Sequence, residues 1–204
     1  MIERQERTKK QIVQAAINLF EANGFQKTRV SDIVAQAGVA QGTFYLYFRS
    51  KEEIFLEICS KFVQLFSTFL EDAGNLFSGE SYVEVHQKML NFNRELIQLY
   101  AGNGKMARIL FREGASQGGA SKPVFESIYT HFIEIVRNHL EQSRTTGHVR
   151  FEDAETEAAF LIGLFDRSLF YFMDVKKNID IDAFSRRMTD FIMGGLSKYQ
   201  PTSR

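Results

Sequence analysis

The side chains able to do chemistry are unevenly spread along the 204 residues. The densest group is Gln41, Gly42, Thr43, Tyr45 and Tyr47, where amide, hydroxyl and phenol groups surround a position with no side chain. These groups donate and accept hydrogen bonds, the chemistry of recognition. Patterns for bond-making chemistry are missing. There is no HExxH, no Walker loop, no GxSxG and no GxGxxG. The histidines are His86, His131, His139 and His148. His131 and His139 stand about 12 Å apart along a helix, too far to share a metal ion. The single cysteine, Cys59, permits neither an intrachain disulfide nor a cysteine-based zinc site, and it suits a reducing cytoplasm. The sequence therefore reads as a binding protein with no catalytic residues, no cofactor and no metal.

These residues need helices to position them. Pro123 and Pro201 are the only prolines, which favours long uninterrupted helices. Ile12, Ala15, Ala16, Leu19 and Phe20 follow helical spacing, and Gly24 ends that helix. A second helix is expected at 30–37, burying Ile33, Val34 and Ala37, with Thr28 near its start as a cap. Gly38-Val39 makes a tight turn, and a third helix at 41–48 points Phe44 and Phe48 inward. Ser50-Lys51-Glu52-Glu53 is a capping box opening a helix to about Gly74, about 36 Å long. A second box, Ser81 to Glu84, opens a helix to about Tyr100. Further helices are expected at 105–114, from Ser121 to Ser143, from Asp153 to Val175, and from Asp180 or Asp182 to about Lys198. The fold class is all-α with about nine helices: a three-helix head at 1–50, then a helical bundle at 51–204. The most apolar window, 160–173, is broken by Asp166-Arg167-Ser168 and is too short to span a bilayer. The polar start, Met1 to Arg7, is not a signal peptide, and no membrane partner is expected.

Two short helices joined by Gly38-Val39 match a helix-turn-helix, whose second helix enters the major groove of duplex DNA. The run Thr28-x-Val30-x-Asp32-Ile33-Val34-x-x-Ala37-Gly38-Val39-Ala40-x-Gly42-Thr43-Phe44-Tyr45-x-Tyr47-Phe48-x-Ser50-Lys51-Glu52 resembles the DNA-binding segment of the TetR family of bacterial regulators. The upstream Ala15-Ala16-x-x-Leu19-Phe20-x-x-x-Gly24-Phe25 is similar to it as well. The resemblance covers residues 8–55. It implies that Gln41, Thr43 and Tyr45 meet bases or nearby phosphates, that Tyr47 and Lys51 clamp the phosphate backbone, and that Ser31 reaches the major groove. Thr28 joins the same DNA-binding set, and Gly42 lets the backbone approach closely. The chemistry agrees: Gln pairs bidentately with adenine, a Thr methyl touches thymine, and Tyr and Lys suit phosphate oxygens. Ala40 departs from the family's usual Ser or Thr, and lacking a cap it costs the third helix about 1 kcal/mol. Arg4, Arg7, Lys9 and Lys10 form either an arm along the phosphates or a solvated terminus.

By the same resemblance the chain is expected to be a homodimeric, ligand-responsive regulator of transcription in the bacterial cytoplasm, associated with the nucleoid. It would act as a repressor on double-stranded DNA, released from a near-palindromic operator by an apolar or aromatic small molecule. The alternative is a helical small-molecule-binding or interaction protein with a vestigial DNA-binding head.

Of the 20 Phe, 16 lie beyond residue 54, where they either line an apolar pocket or fill a core. Candidate ligand-binding residues are Phe62, Phe66 and Phe165, with polar residues set in apolar helical surroundings: His86, Asn93, Arg108, Arg112, Tyr129 and Asp166. The segment 153–175 is apolar on nearly every side and so needs cover on every side. A second copy would supply it, through Phe160, Leu164 and Phe172 of this helix and Phe184, Met188, Phe191 and Ile192 of the last one.

The formal charge is zero, with 25 basic and 25 acidic residues. A nucleic-acid partner usually leaves a basic footprint. Residues 1–51 hold 8 Lys and Arg against 4 Asp and Glu, and the remainder holds 17 against 21. The zero is a cancellation between a basic head and an acidic body, and it does not exclude DNA.

Overall fold

Every regular element among the described residues is helical. The computed structural model describes residues 2–114 and 122–196, apart from the side chains at 2, 111–114 and 122. In chain order the helices are α1 (Ile2–Asn23), α2 (Val30–Ala37), α3 (Gln41–Tyr45), α4 (Lys51–Asp72), α5 (Tyr82–Gly102), α6 (Gly104–Gly114), α7 (Lys122–Ser143), α8 (Ala154–Leu169) and α9 (Ile181–Leu196). A π-helical segment, Phe170–Val175, continues directly from α8. The chain divides into two compact units: Met1–Phe66 with Asn103–Ile128, and Ser67–Gly102 with Tyr129–Arg204. Helices α4 and α7 each contribute residues to both.

The caps read from sequence form. The Glu53 N–H donates to Ser50 Oγ at 3.3 Å, and the Glu53 carboxylate accepts from the Arg49 N–H. The Glu84 N–H donates to Ser81 Oγ at 3.2 Å, and the Glu84 carboxylate accepts from the Glu80 N–H at 2.8 Å. Asp153 accepts from the Thr156 N–H at 2.9 Å, and Asp180 accepts from the Ala183 N–H at 3.0 Å. Asp182, the other candidate for the last cap, instead pairs with Arg94 at 2.7 Å. The bonds to Ser50, Ser81, Asp153 and Asp180 each satisfy a donor that the first turn of a helix leaves orphaned.

In the first unit, α1 packs on α2 and on α6. Ile12, Ala16, Phe20, Ile33, Phe44 and Ile54 are fully buried. Phe20, Phe25 and Phe55 form an aromatic triangle with centroid separations of 5.4, 6.3 and 4.8 Å. Between α2 and α3, Gly38 adopts φ +66° and its N–H donates to the Ala35 carbonyl, while Val39 N–H reaches the Val34 carbonyl at 3.1 Å. A side chain at Gly38 would strain this left-handed corner.

Two boundaries depart from the sequence reading. Helix α3 ends at Tyr45, not at Phe48. Ala40 gives its first turn no side-chain cap, and the Leu46 and Tyr47 N–H groups bond three residues back, which tightens the chain out of the α-helix. The helix opening at Asp153 is α-helical only to Leu169, beyond which the π-segment carries the chain to Val175. The expected end of the last helix, at about Lys198, lies outside the described residues.

The second unit is built on α5 against α9. Buried Asn93 donates to buried Thr189 Oγ1 at 2.9 Å across that pair. Its histidines act as fasteners. His131 bonds Ser67 at 2.9 Å, His139 donates to the Leu70 carbonyl at 2.9 Å, and His148 donates to the Gly79 carbonyl at 2.8 Å. Among the described residues no helix is long and apolar enough to cross a membrane.

Candidate nucleic-acid interface

The α3 helix buries one side and exposes the other. Phe44 and Phe48 are sealed in the core with ring centroids 5.7 Å apart. Gln41, Gly42, Tyr45 and Leu46 are exposed, and Thr43 and Tyr47 are half-buried. Ser31 is exposed on the first turn of α2. The outward sides of α2 and α3 therefore present the Gln41 amide, the hydroxyls of Ser31 and Thr43, the phenols of Tyr45 and Tyr47, and a bare backbone position at Gly42. Gly42 is not required by the fold: its φ is not positive, and a Cβ there would meet nothing within 4 Å.

Two expected DNA-binding residues face inward instead. Thr28 is 1% exposed, and its hydroxyl donates to the Gly24 carbonyl at 2.8 Å. It fastens the end of α1 and neither caps α2 nor reaches a duplex. Arg29 occupies the N-cap position, and its N–H is held by the Asp32 carboxylate at 2.9 Å. Lys51 spends its ammonium on the protein. It donates to the carbonyls of Phe25 at 2.8 Å and Gln26 at 3.4 Å, and lies 4.3 Å from the Phe25 ring centroid. Two of its three N–H donors are thus used.

The basic residues divide in the same way. Lys9 pairs with Glu57 at 2.8 Å, whereas Arg4, Arg7 and Lys10 are exposed on a helix that runs from Ile2. Lys27, Arg29 and Arg49 are also exposed in this unit. Sequence reasoning passed over these three because single basic residues carry no pattern of their own.

The expected ligand residues do not form one site. Phe62 and Phe66 are buried and stacked on each other at 4.4 Å. Arg108 pairs with Glu21 of α1, which Lys105 also approaches at 3.4 Å. Partial burial pushes the Glu21 carboxyl up, but hydrogen bonds and charge from Arg108 and Lys105 outweigh it and hold the group below its usual range. His86 pairs with Asp190 at 2.8 Å at the surface, and Asn93 is satisfied by Thr189. These polar groups are partnered across the fold, which helical spacing cannot reveal. The Arg112 side chain lies outside the described residues.

Asp166, Tyr129 and Phe165 do belong to one neighbourhood of the second unit. Asp166 is 5% exposed, with Arg167 at 3.2 Å. Burial holds the Asp166 carboxyl above its ordinary range. Burial also raises the Tyr129 phenol, and the nearby Asp166 charge adds to it. The Phe165 ring meets Tyr100 edge-on at 5.9 Å. A separate groove of about 550 Å³ lies between the end of α4 and the middle of α5, walled by Phe69 and Phe92, stacked at 5.3 Å, and edged by Asp72, Asn91 and Glu95. None of the expected ligand residues lines it.

The expected dimer residues divide too. Phe160 and Phe191 are 66% and 70% exposed. Leu164 is half-buried, and Phe172 and Phe184 pair with each other at 5.2 Å. Met188 and Ile192 are buried within this protomer, on α9, which packs on α5, and are not available to a partner.

Comparison with known proteins agrees with this geometry. Residues 12–58 match the profile of the bacterial regulatory proteins, tetR family. Over 160 residues the chain is 28% identical to the HTH-type transcriptional regulator YdgC of Bacillus subtilis (strain 168), covering 78% of this chain and 77% of that one. Over 187 residues it is 24% identical to the fatty acid metabolism regulator protein of the same organism, covering 91% and 94%. The crystal structure of the transcriptional regulator FadR from Bacillus subtilis in complex with stearoyl-CoA shares the fold, with a TM-score of 0.75 at 23% identity over 92% of this chain and 99% of that one.

The raised Asp166 carboxyl has a stability consequence. The folded state holds the proton more tightly than the unfolded state, so this stabilisation is complete below the unfolded value of about 3.8 and is lost as pH rises through the raised folded value. Asp166→Asn removes the dependence. Denaturant unfolding across pH 4 to 8 will show the variant gaining on the wild type with rising pH and levelling off. A constant difference at all pH values would contradict the assignment.

Proposed function

We propose that this chain, whose residues 12–58 match the profile of the tetR family of bacterial regulatory proteins, is a dimeric repressor of transcription of that family. It binds a near-palindromic operator through α2 and α3 and releases it when an apolar effector enters the helical body. The observation that carries the DNA-binding reading is the outward face of α3, where Gly42 is unexplained by the fold and Gln41 and Tyr45 are exposed beside it. Residues 1–50 read DNA, with Ser31, Gln41, Thr43 and Tyr45 toward the groove and Tyr47, Arg29 and Arg49 toward phosphates. Residues 51–204 bind effector and partner.

The effector reading rests on relatives. One is a fatty acid metabolism regulator, and a fold neighbour carries stearoyl-CoA. A long acyl chain is the corresponding effector class here, with Tyr129, Phe165 and Asp166 in its neighbourhood. Helix α4 runs unbroken from Lys51 to Asp72, so a change in its tilt would alter the spacing of two heads. The effector can release DNA only by as much as it prefers the released conformation. The protein binds and switches without catalysis. Its place is the bacterial cytoplasm, at the nucleoid through its operator.

Dimerisation rests on Phe160 and Phe191, whose exposure on α8 and α9 is unusual for large aromatic residues. Tyr171 and Val175 are exposed as well. A second copy packing on this surface would bury them.

Affinity for duplex DNA will fall steeply with salt, by about 0.9 logarithmic units for each phosphate contact per tenfold rise in salt. Arg29→Ala will reduce that slope by about one unit per head, and stearoyl-CoA will weaken operator binding. Salt-independent or absent duplex binding would leave only a helical small-molecule-binding protein. In sedimentation at micromolar concentration the wild type will run as a dimer, and Phe160→Asp with Phe191→Asp as a folded monomer. A monomeric wild type would overturn the dimer reading.

A further inference from the structure

Leu46 is the most exposed large apolar side chain among the described residues, with 81% of its surface open. It caps α3 at φ −73° and ψ −22°, still in the right-handed helical region. At about 100° per residue, it points opposite the direction midway between Phe44 and Phe48. Those two rings are sealed in the core, so Leu46 is at the outermost point of the recognition helix. One turn earlier on the same face stands Gly42, where neither backbone conformation nor crowding calls for glycine. Alanine would serve the helix better there. The face thus offers a gap in side-chain cover followed by a projecting isobutyl group.

Leucine has no donor or acceptor with which to read a polar base edge. The apolar feature that base pairs present in the major groove is the C5-methyl of thymine. We propose that Leu46 is a specificity-determining residue that packs on a thymine methyl in each half-site, with Gly42 allowing the helix to come close enough. The proposal rests on the operator-binding reading given above. It adds a contact that discriminates between base pairs by shape and apolarity, next to the hydrogen-bonding Gln41 and Tyr45.

The test uses the full-length protein and a duplex recovered by selection with the wild type from a randomised pool. Each dT is replaced in turn, in both half-sites, by dU, which removes only the C5-methyl. At one position per half-site the wild type will bind roughly four-fold more weakly for each methyl removed, the factor that corresponds to loss of one buried carbon. Leu46→Ala will bind the parent duplex more weakly and show no further loss at that position. Leu46→Met, which keeps the apolar reach, will retain the preference. Thermal melts of both variants should match the wild type, since the side chain is exposed. If no dT-to-dU change separates the wild type from Leu46→Ala, the Leu46 assignment is wrong while operator binding stands. Recovery of no duplex at all by the wild type would remove both.

Discussion

The burial of Phe44 is the constraint on which the proposed DNA-reading face depends. A helix of five residues is far below the length at which helices hold themselves together in water. Helix α3 also lacks a side-chain cap at Ala40. It persists because Phe44 is fully buried and Phe48 nearly so, and their side chains fix its rotation about its own axis. Once that rotation is fixed, Gln41, Gly42, Tyr45 and Leu46 must face outward. The left-handed corner at Gly38 then sets the angle at which α2 delivers the chain to α3. Recognition here is a by-product of core packing: the inward side chains choose which outward ones are shown.

The same economy governs the basic residues. Lys9, Lys51, Lys105 and Arg108 are committed to internal carboxylates or carbonyls. Lys9 ties α1 to α4, Lys51 ties the start of α4 to the turn after α1, and Lys105 and Arg108 tie α6 to α1. Arg4, Arg7, Lys10, Lys27, Arg29 and Arg49 add exposed positive charge to the same unit. Net charge alone does not separate these two groups. A lysine paired with a carboxylate counts toward the sum but offers little to a phosphate.

Local rules made much of the fold legible in the sequence. The caps at Ser50, Ser81, Asp153 and Asp180 each depend on residues within a few positions, and all formed. The Gly38 corner and the inward pair Phe44 and Phe48 follow from spacing in the same way. What failed depended on contacts that local spacing does not encode. Thr28 looked like a cap because it precedes α2, but the Gly24 carbonyl captures its hydroxyl. Arg108 and His86 looked like pocket residues because their neighbours are apolar, yet Glu21 and Asp190 lie 87 and 104 positions away. Met188 and Ile192 share helical spacing with exposed Phe191, and only the packing of α9 on α5 separates inner from outer. The π-segment at Phe170–Val175 has no sequence signature of its own.

The central claim is that DNA meets the outward face of α2 and α3. Amide hydrogen exchange of the full-length protein, read by mass spectrometry with and without a selected duplex, tests it most directly. Bound duplex should slow exchange in peptides spanning residues 29–47, while peptides from α9 keep their rates apart from any dimer effect common to both samples. Protection confined to the second unit, with residues 29–47 unchanged under saturating duplex, would contradict the account.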